Sequence, residues 1–271
     1  MPVPEIRPSI SYAPFVPPAL SRSHVEALRR DGVCIVDNVM PAVQVRALRA
    51  ALMHRGGGDG SDFRRTMQPR EIRSDRVLWV HEHEDKEERV VERLERASAE
   101  TEAAEQETSS SRAIAAAVCA LKGIGSHFEE ALGHALDAPS RCMAALYAPP
   151  VDQCEPSGYR PHLDHRPPDD EDLYWCWKSS REQSERALTS ILYLNEDWCD
   201  QDGGQLRMFL GCTNKDDPEA TAMNIQDVTP VGGRLVVFKS REIPHAVMPV
   251  TGNKTRMAIS CWHLLNSQEE S

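Results

Sequence analysis

The sequence predicts a mainly β fold with flanking helices, and three observations carry that prediction. Beyond residue 140, short apolar runs at 142–147, 187–194, 204–210, 226–229, 234–238, 246–250 and 256–264 alternate with Gly, Pro, Asn and Asp. That rhythm belongs to an antiparallel sandwich or barrel. Upstream of it, apolar residues recur with helical spacing around short strand-like runs. The length, 271 residues, suffices for one large domain with a sizeable core, or for a core domain with an N-terminal extension.

The elements follow in order. Residues 1–20 are Pro-rich and read as an extended tail. Ser21 or Ser23 caps a helix running through Val25, Leu28 and Arg29. Residues 32–36 read as a buried strand with Asp37 and Asn38 as its turn, and a second helix spans about 41–53. The Gly-containing run 55–62 reads as a mobile loop. Residues 72–81 read as a strand, 84–111 as a solvated helix or partly disordered insert, and 112–136 as an amphipathic helix. The organisation is thus a tail (1–20), an N-terminal buttress with a polar insert (21–139), and a β domain (140–266). One long polar segment, 165–186, interrupts the strands; its Tyr174, Trp175 and Trp177 suit either a lid over a site or the loop's own small core.

Bulk properties exclude some functions. The formal net charge is -11, and an acidic surface repels phosphate backbones, so nucleic acid is a poor partner. No apolar run approaches the roughly 18 residues of a membrane span. The first residues lack the basic start and continuous apolar stretch of a secretory signal, which places the chain in the cytoplasm or nucleus. The eight cysteines are irregularly spaced without a C-x-x-C pair, and in a reducing compartment they read as free thiols.

The segment from Tyr159 to Asp164 carries the chemistry. In a strand, residues i and i+2 face the same side, so His162 and Asp164 aim an imidazole and a carboxylate at one point. His245, after Ile243 and Pro244, is the candidate third ligand. Two histidines and a carboxylate on one face of an octahedron form the ligand set of non-heme iron(II) oxygenases, leaving positions for a bidentate 2-oxo acid and O₂. The far carboxylate of such an acid needs a cation, and Arg256 is placed to grip it with two prongs, with Tyr193 as a hydroxyl donor. A lone H-x-D is weak; its order with the distal His and the final Arg raises the signal.

The series resembles the catalytic domain of prolyl 4-hydroxylases, and within them the hypoxia-inducible-factor prolyl hydroxylases. The matching stretches are residues 143–147, 159–164, 188–195, 202–209, 233–240, 244–249 and 255–262, with 72–80 and 32–39 upstream. The resemblance covers most of 22–264 and implies a double-stranded β-helix, or jelly roll, with helices buttressing one side. It implies Fe(II) on His162, Asp164 and His245, 2-oxoglutarate on Arg256 and Tyr193, and Tyr147 facing the co-substrate or metal region. It further implies O₂ as co-substrate, ascorbate as reductant, and a proline-containing protein or peptide as partner. The implied reaction converts 2-oxoglutarate to succinate and adds a hydroxyl to the substrate. Asp164 argues against halogenating relatives, which lack the carboxylate. The stretch between Tyr147 and Tyr159, the 165–186 loop and the 84–111 insert are longer than the family pattern. They leave open the same chemistry on another side chain, a small molecule or an alkylated base, and a non-catalytic jelly-roll binding module.

Other residues read as structural. Gly203-Gly204 suits a turn of close backbone approach rather than a phosphate cradle. Trp262 and Phe238 read as core, and His81, His83 and His263 as structural or surface residues. Ser190 and Ser260 have no evident His–Asp arrangement, so a hydrolase triad is disfavoured.

Overall fold

A computed structural model describes residues 20–58, 60–81, 101–139, 141–150, 157–165 and 185–266. The Pro-rich tail up to residue 19, most of the 84–111 insert, and residues 166–184 of the 165–186 segment, with its three aromatic residues, lie outside the described residues.

Helix α1 (Arg22–Asp31) begins after Ser21, whose backbone N–H donates to His24 Nδ1 at 3.1 Å. It stops at Gly32, whose N–H closes the helix onto the Leu28 carbonyl. Strand β1 (Val33–Val36) and helix α2 (Ala42–Arg55) follow, then β2 (Arg64–Arg65) and β3 (Arg76–Val80). Helix α3 runs unbroken over Thr101–Gly123, and a short α4 occupies Glu129–Leu132. The expected helix over 112–136 is therefore corrected at both ends. Ala, Glu and Gln carry the helix back to residue 101, and the glycines at 123 and 125 end it.

The remaining strands are β4 (Leu136–Asp137), β5 (Cys142–Tyr147), β6 (Tyr159–His162), β7 (Arg186–Tyr193), β8 (Leu206–Leu210), β9 (Asn224–Val228), β10 (Leu235–Lys239), β11 (His245–Val247) and β12 (Arg256–Leu265). A four-residue helix, α5 (Pro218–Thr221), separates β8 from β9. The strands form two sheets. The larger has the order β1-β10-β7-β12-β5-β3-β2, with β4 paired to β12; the smaller has the order β6-β11-β8-β9. All pairings are antiparallel, and the two facing sheets form the expected jelly roll. Strands from the N-terminal buttress and from the β domain share the larger sheet.

Period-two alternation sorts the larger sheet's side chains. Leu146, Leu188, Leu192, Val237, Met257 and Ile259 join Leu28, Leu48, Leu52, Val118, Leu121 and Phe128 in one apolar cluster that fixes the helices to the outer face. Residues of opposite parity, including Ile191, Tyr193, Val236, Phe238 and Ala258, pack against Leu206 and Met208 of the smaller sheet. A third cluster joins Met143, Ala145, Tyr147 and Trp262 to Trp198, Val247 and Val250.

One expectation changes in the outer layer. Cys142 and Cys261 are not free thiols: they lie on paired strands, fully buried, with Cα atoms 4.8 Å apart, and form a disulfide. A sequence separation of 119 residues conceals this cross-strand pair from a reading of spacings. Ser190 Oγ also meets a histidine, His263 Nε2, at 3.3 Å. Both are fully enclosed, so this is a buried packing contact and not a reactive pair.

Candidate metal and co-substrate site

The strand-edge position of β6 and its pairing with β11 bring the H-x-D pair to the distal histidine. His162 and His245 are register partners. Asp164, just past the end of β6, lies between them: its Oδ1 is 3.8 Å from His162 Nε2 and its Oδ2 is 3.7 Å from His245 Nε2. One ligand atom from each of the three residues lies within 4.8 Å of the others, and this is the only such His, Cys, Asp or Glu group among the described residues.

Both imidazoles are aimed by their own backbone. His162 Nδ1 is 2.8 Å from the Arg160 carbonyl and His245 Nδ1 is 3.2 Å from the Ile243 carbonyl. A carbonyl only accepts, so each Nδ1 carries the proton and each Nε2 keeps its lone pair toward the shared point. Burial, reinforced by His245, lowers the His162 pKa to about 3 and so keeps the ring neutral. Burial would raise Asp164, but His245, His162, Arg186 and the Thr189 hydroxyl outweigh it and bring the carboxyl down to about 2. Two imidazoles and one carboxylate fit a divalent cation.

The carboxylate is held by two residues that the sequence reading did not single out for it. Thr189 Oγ1 donates to Asp164 Oδ2 at 2.7 Å, and Ser240 Oγ lies 2.8 Å from Thr189 Oγ1. Thr189 is a fully buried hydroxyl within the apolar run of β7. An inward-facing threonine among Ala, Leu and Ile was the available signal.

Arg256 opens β12 opposite Tyr147 of β5, and the next inward position, Ala258, faces Tyr193 of β7. Arg256 is 2 % exposed, and its guanidinium lies 5.0 Å from the Tyr147 ring centre and 5.1 Å from that of Tyr193. Its Nε donates to the Gly204 carbonyl at 2.8 Å. A Cβ on Gly204 would come within 2.8 Å of the Arg256 side chain, and the residue has φ +66°, so glycine is needed for this close approach. The expectation for Gly203-Gly204 holds. No carboxylate among the described residues pairs with Arg256, and Tyr193 Oη is buried with no hydrogen-bond partner. Burial raises the Tyr193 pKa against the pull of Arg256, which keeps the hydroxyl protonated. A buried cation beside an unsatisfied donor is costly in isolation and fits an anion such as the far carboxylate of 2-oxoglutarate.

The other sequence expectations also find their places. Phe238 is fully buried and packs edge-on against His245 at 4.6 Å. Trp262 is buried on the inner face, 6.1 Å from Trp79, with the Arg186 guanidinium 4.1 Å over it. Its Nε1 has no hydrogen-bond partner.

Residues 149–264 match the model of the 2OG-Fe(II) oxygenase superfamily. A prolyl-4-hydroxylase from Pseudomonas putida is similar over 90 % of this chain and 98 % of its own, with 28 % identity and a TM-score of 0.60. A prolyl hydroxylase from Trichoplax adhaerens, solved with a hypoxia inducible factor oxygen degradation domain peptide, shares the fold over 89 % of this chain and 87 % of its own, with 21 % identity and a TM-score of 0.63. The non-heme alpha ketoglutarate dependent carbocyclase SnoK from nogalamycin biosynthesis shares the fold over 93 % of this chain and 87 % of its own, at 15 % identity and a TM-score of 0.58. Residues 149–264 thus carry a 2OG-Fe(II) oxygenase domain, and with the His–Asp–His cluster in place the chain is a 2-oxoglutarate- and iron(II)-dependent dioxygenase similar to the prolyl 4-hydroxylases.

Proposed function

We propose that the protein hydroxylates a prolyl residue of a protein or peptide while converting 2-oxoglutarate to succinate. The observation that carries this reading is the convergence of His162, Asp164 and His245 on one point, together with a buried Arg256 that no carboxylate among the described residues pairs. Similarity to the Pseudomonas putida prolyl-4-hydroxylase supports the choice of proline.

In this reading His162, Asp164 and His245 hold the iron, which supplies O₂ activation and oxygen transfer when bound. The Nδ1–H bonds to Arg160 and Ile243 hold the imidazole tautomer, and Thr189 holds the carboxylate. Arg256 and Tyr193 grip the far carboxylate of 2-oxoglutarate, and the Tyr147 ring packs 5.0 Å from the guanidinium. The apolar walls formed by Ile191, Val236 and Ala258 exclude water from the charge pair and so strengthen it. Ascorbate would be the reductant that keeps a bound iron ferrous.

The test is succinate formation by purified protein with Fe(II), 2-oxoglutarate and ascorbate, with and without proline-containing peptides. Wild type should form succinate and Asp164→Ala should not. A peptide substrate should gain one oxygen on proline by mass spectrometry. Succinate without any modified proline would retain the oxygenase and reject the prolyl substrate.

A further inference from the structure

The chain leading into β3 extends the smaller sheet before it enters the larger one. Arg160 N–H donates to the Ile72 carbonyl at 2.9 Å, and Ser74 N–H to the Gly158 carbonyl at 3.1 Å. Gly158 N–H donates to Ser74 Oγ at 2.8 Å, and Arg73 pairs with Tyr159 in an antiparallel bridge. Residues 72–74 thus lie along the edge of β6 that β11 leaves open.

This pairing places two buried charges behind a metal-site histidine. Arg73 grips Asp75 with two hydrogen bonds, 2.6 and 2.8 Å, and their side chains are 13 % and 0 % exposed. The Arg73 guanidinium lies 4.8 Å over the Tyr159 ring. Tyr159 in turn stacks on the His162 imidazole, with ring centres 3.6 Å apart and planes 19° from parallel. Carboxylate, guanidinium, phenol and imidazole form one continuous column.

The column supplies a restraint that the backbone does not. A hydrogen bond from Nδ1 to the Arg160 carbonyl fixes the direction of one ring atom but lets the imidazole tilt about that bond. A face-to-face contact fixes the plane. Simple packing would not need a buried ion pair, because apolar side chains of similar volume are often as stable or more so. Arg73 also reaches Met143 Sδ at 3.4 Å, which ties the column to β5 of the larger sheet.

We propose that Tyr159, backed by the Arg73–Asp75 pair, is a positioning residue for His162, holding its ring plane so that Nε2 meets the metal. The inference rests on His162 being a metal ligand. Outer-shell partners that hydrogen-bond a metal ligand typically contribute 10- to 100-fold in metal affinity, and a stacked ring is expected at the low end of that range.

Co(II) is a suitable probe because its visible absorption reports ligand geometry. Metal-free full-length wild type, Tyr159→Phe, Tyr159→Leu and His162→Ala are titrated with Co(II), with circular-dichroism melting as a fold control. Tyr159→Phe keeps the stack and should bind within about two-fold of wild type with the same bands; Tyr159→Leu should bind about ten-fold more weakly with altered bands. Equal binding and bands for Tyr159→Leu, beside lost binding in His162→Ala, would overturn the positioning role and leave the metal site standing. Retained binding in His162→Ala would instead overturn the metal reading itself. A phenylalanine variant as weak as the leucine variant would assign the effect to the hydroxyl and reject the stack. If Tyr159→Leu fails to fold, the double variant Arg73→Met, Asp75→Leu removes both charges together. Weakened Co(II) binding there supports the column, and unchanged binding rejects it.

Discussion

Thr189 on β7 donates a 2.7 Å hydrogen bond to Oδ2 of Asp164, so the larger sheet orients a carboxylate that belongs to the smaller one. Thr189→Val preserves shape and removes the donor. It should weaken Fe(II) or Co(II) binding by about 10- to 100-fold, the usual cost of losing such a partner, whereas Thr189→Ser should restore most of it. Metal titration followed by absorption decides this. Equal affinity in the valine variant would mean that strand geometry alone aims Asp164.

The Arg256 guanidinium lies 5.0 and 5.1 Å from the ring centres of Tyr147 and Tyr193, and no carboxylate among the described residues pairs with it. Arg256→Ala should raise the 2-oxoglutarate requirement by roughly 2–3 kcal/mol, or about 30- to 150-fold, the range of a charge-assisted pair. Arg256→Lys keeps the charge and loses the two-pronged geometry, so it should fall between them. Succinate formation against 2-oxoglutarate concentration measures both. An unchanged requirement in the alanine variant would move the anchor elsewhere.

Metal and stability should be linked through His245, which is 4 % exposed. At a free metal concentration 100-fold above Kd, binding to the native state alone stabilises it by about 2.7 kcal/mol. Wild type should therefore melt at a higher temperature with Fe(II) or Co(II) under anaerobic conditions. His245→Ala should unfold cooperatively, form no succinate and show no metal-induced rise. A rise of wild-type size in that variant would show that the wrong histidine was chosen.

His263 gives the metal-free protein a pH dependence. Burial lowers its pKa from 6.5 to about 4. Between those values the unfolded chain takes up a proton that the folded chain refuses. Stability is therefore full above about pH 6.5 and falls as the pH drops toward 4, by up to ~3 kcal/mol from this residue. His162 acts in the same direction. Urea unfolding at pH 7 and pH 5 should show the loss, and His263→Gln should reduce the difference between the two. An equal difference in the glutamine variant would place the proton uptake elsewhere.

Much of the β half was legible because its central strands are apolar, buried runs bounded by turn residues. The run 142–147 coincides with β5, and 256–264 misses β12 by one residue. Legibility failed where a partner decides the structure. Residues 72–81 read as one strand, yet only Arg76–Val80 joins β3, because 72–74 pair with β6 instead. The polar run before residue 112 gave no apolar stripe, although its Ala, Glu and Gln sustain the first turns of α3.

In the site, order, spacing and strand parity singled out His162, Asp164, His245 and Arg256, with Tyr193 named as a hydroxyl donor beside Arg256. Tyr147 followed from family resemblance. The support around them was not legible. Thr189 and Ser240 meet through neighbouring strands, and the Arg73–Asp75 pair reaches His162 only through Tyr159. Such contacts depend on which strands become neighbours, which local sequence does not encode. The Cys142–Cys261 bridge was missed for the same reason.

The β6–β11 ladder is short, with one register pair at His245 and His162 and another, shifted, at Val247 and Tyr159. Separating these strands would also separate the proposed ligands. By reciprocity, whatever free energy a metal ion gains from a closed seam is returned as resistance of that seam to opening. Amide hydrogen exchange at residues 159–162 and 245–247 would then slow on metal loading, and any change that frays the seam would be felt as faster metal escape.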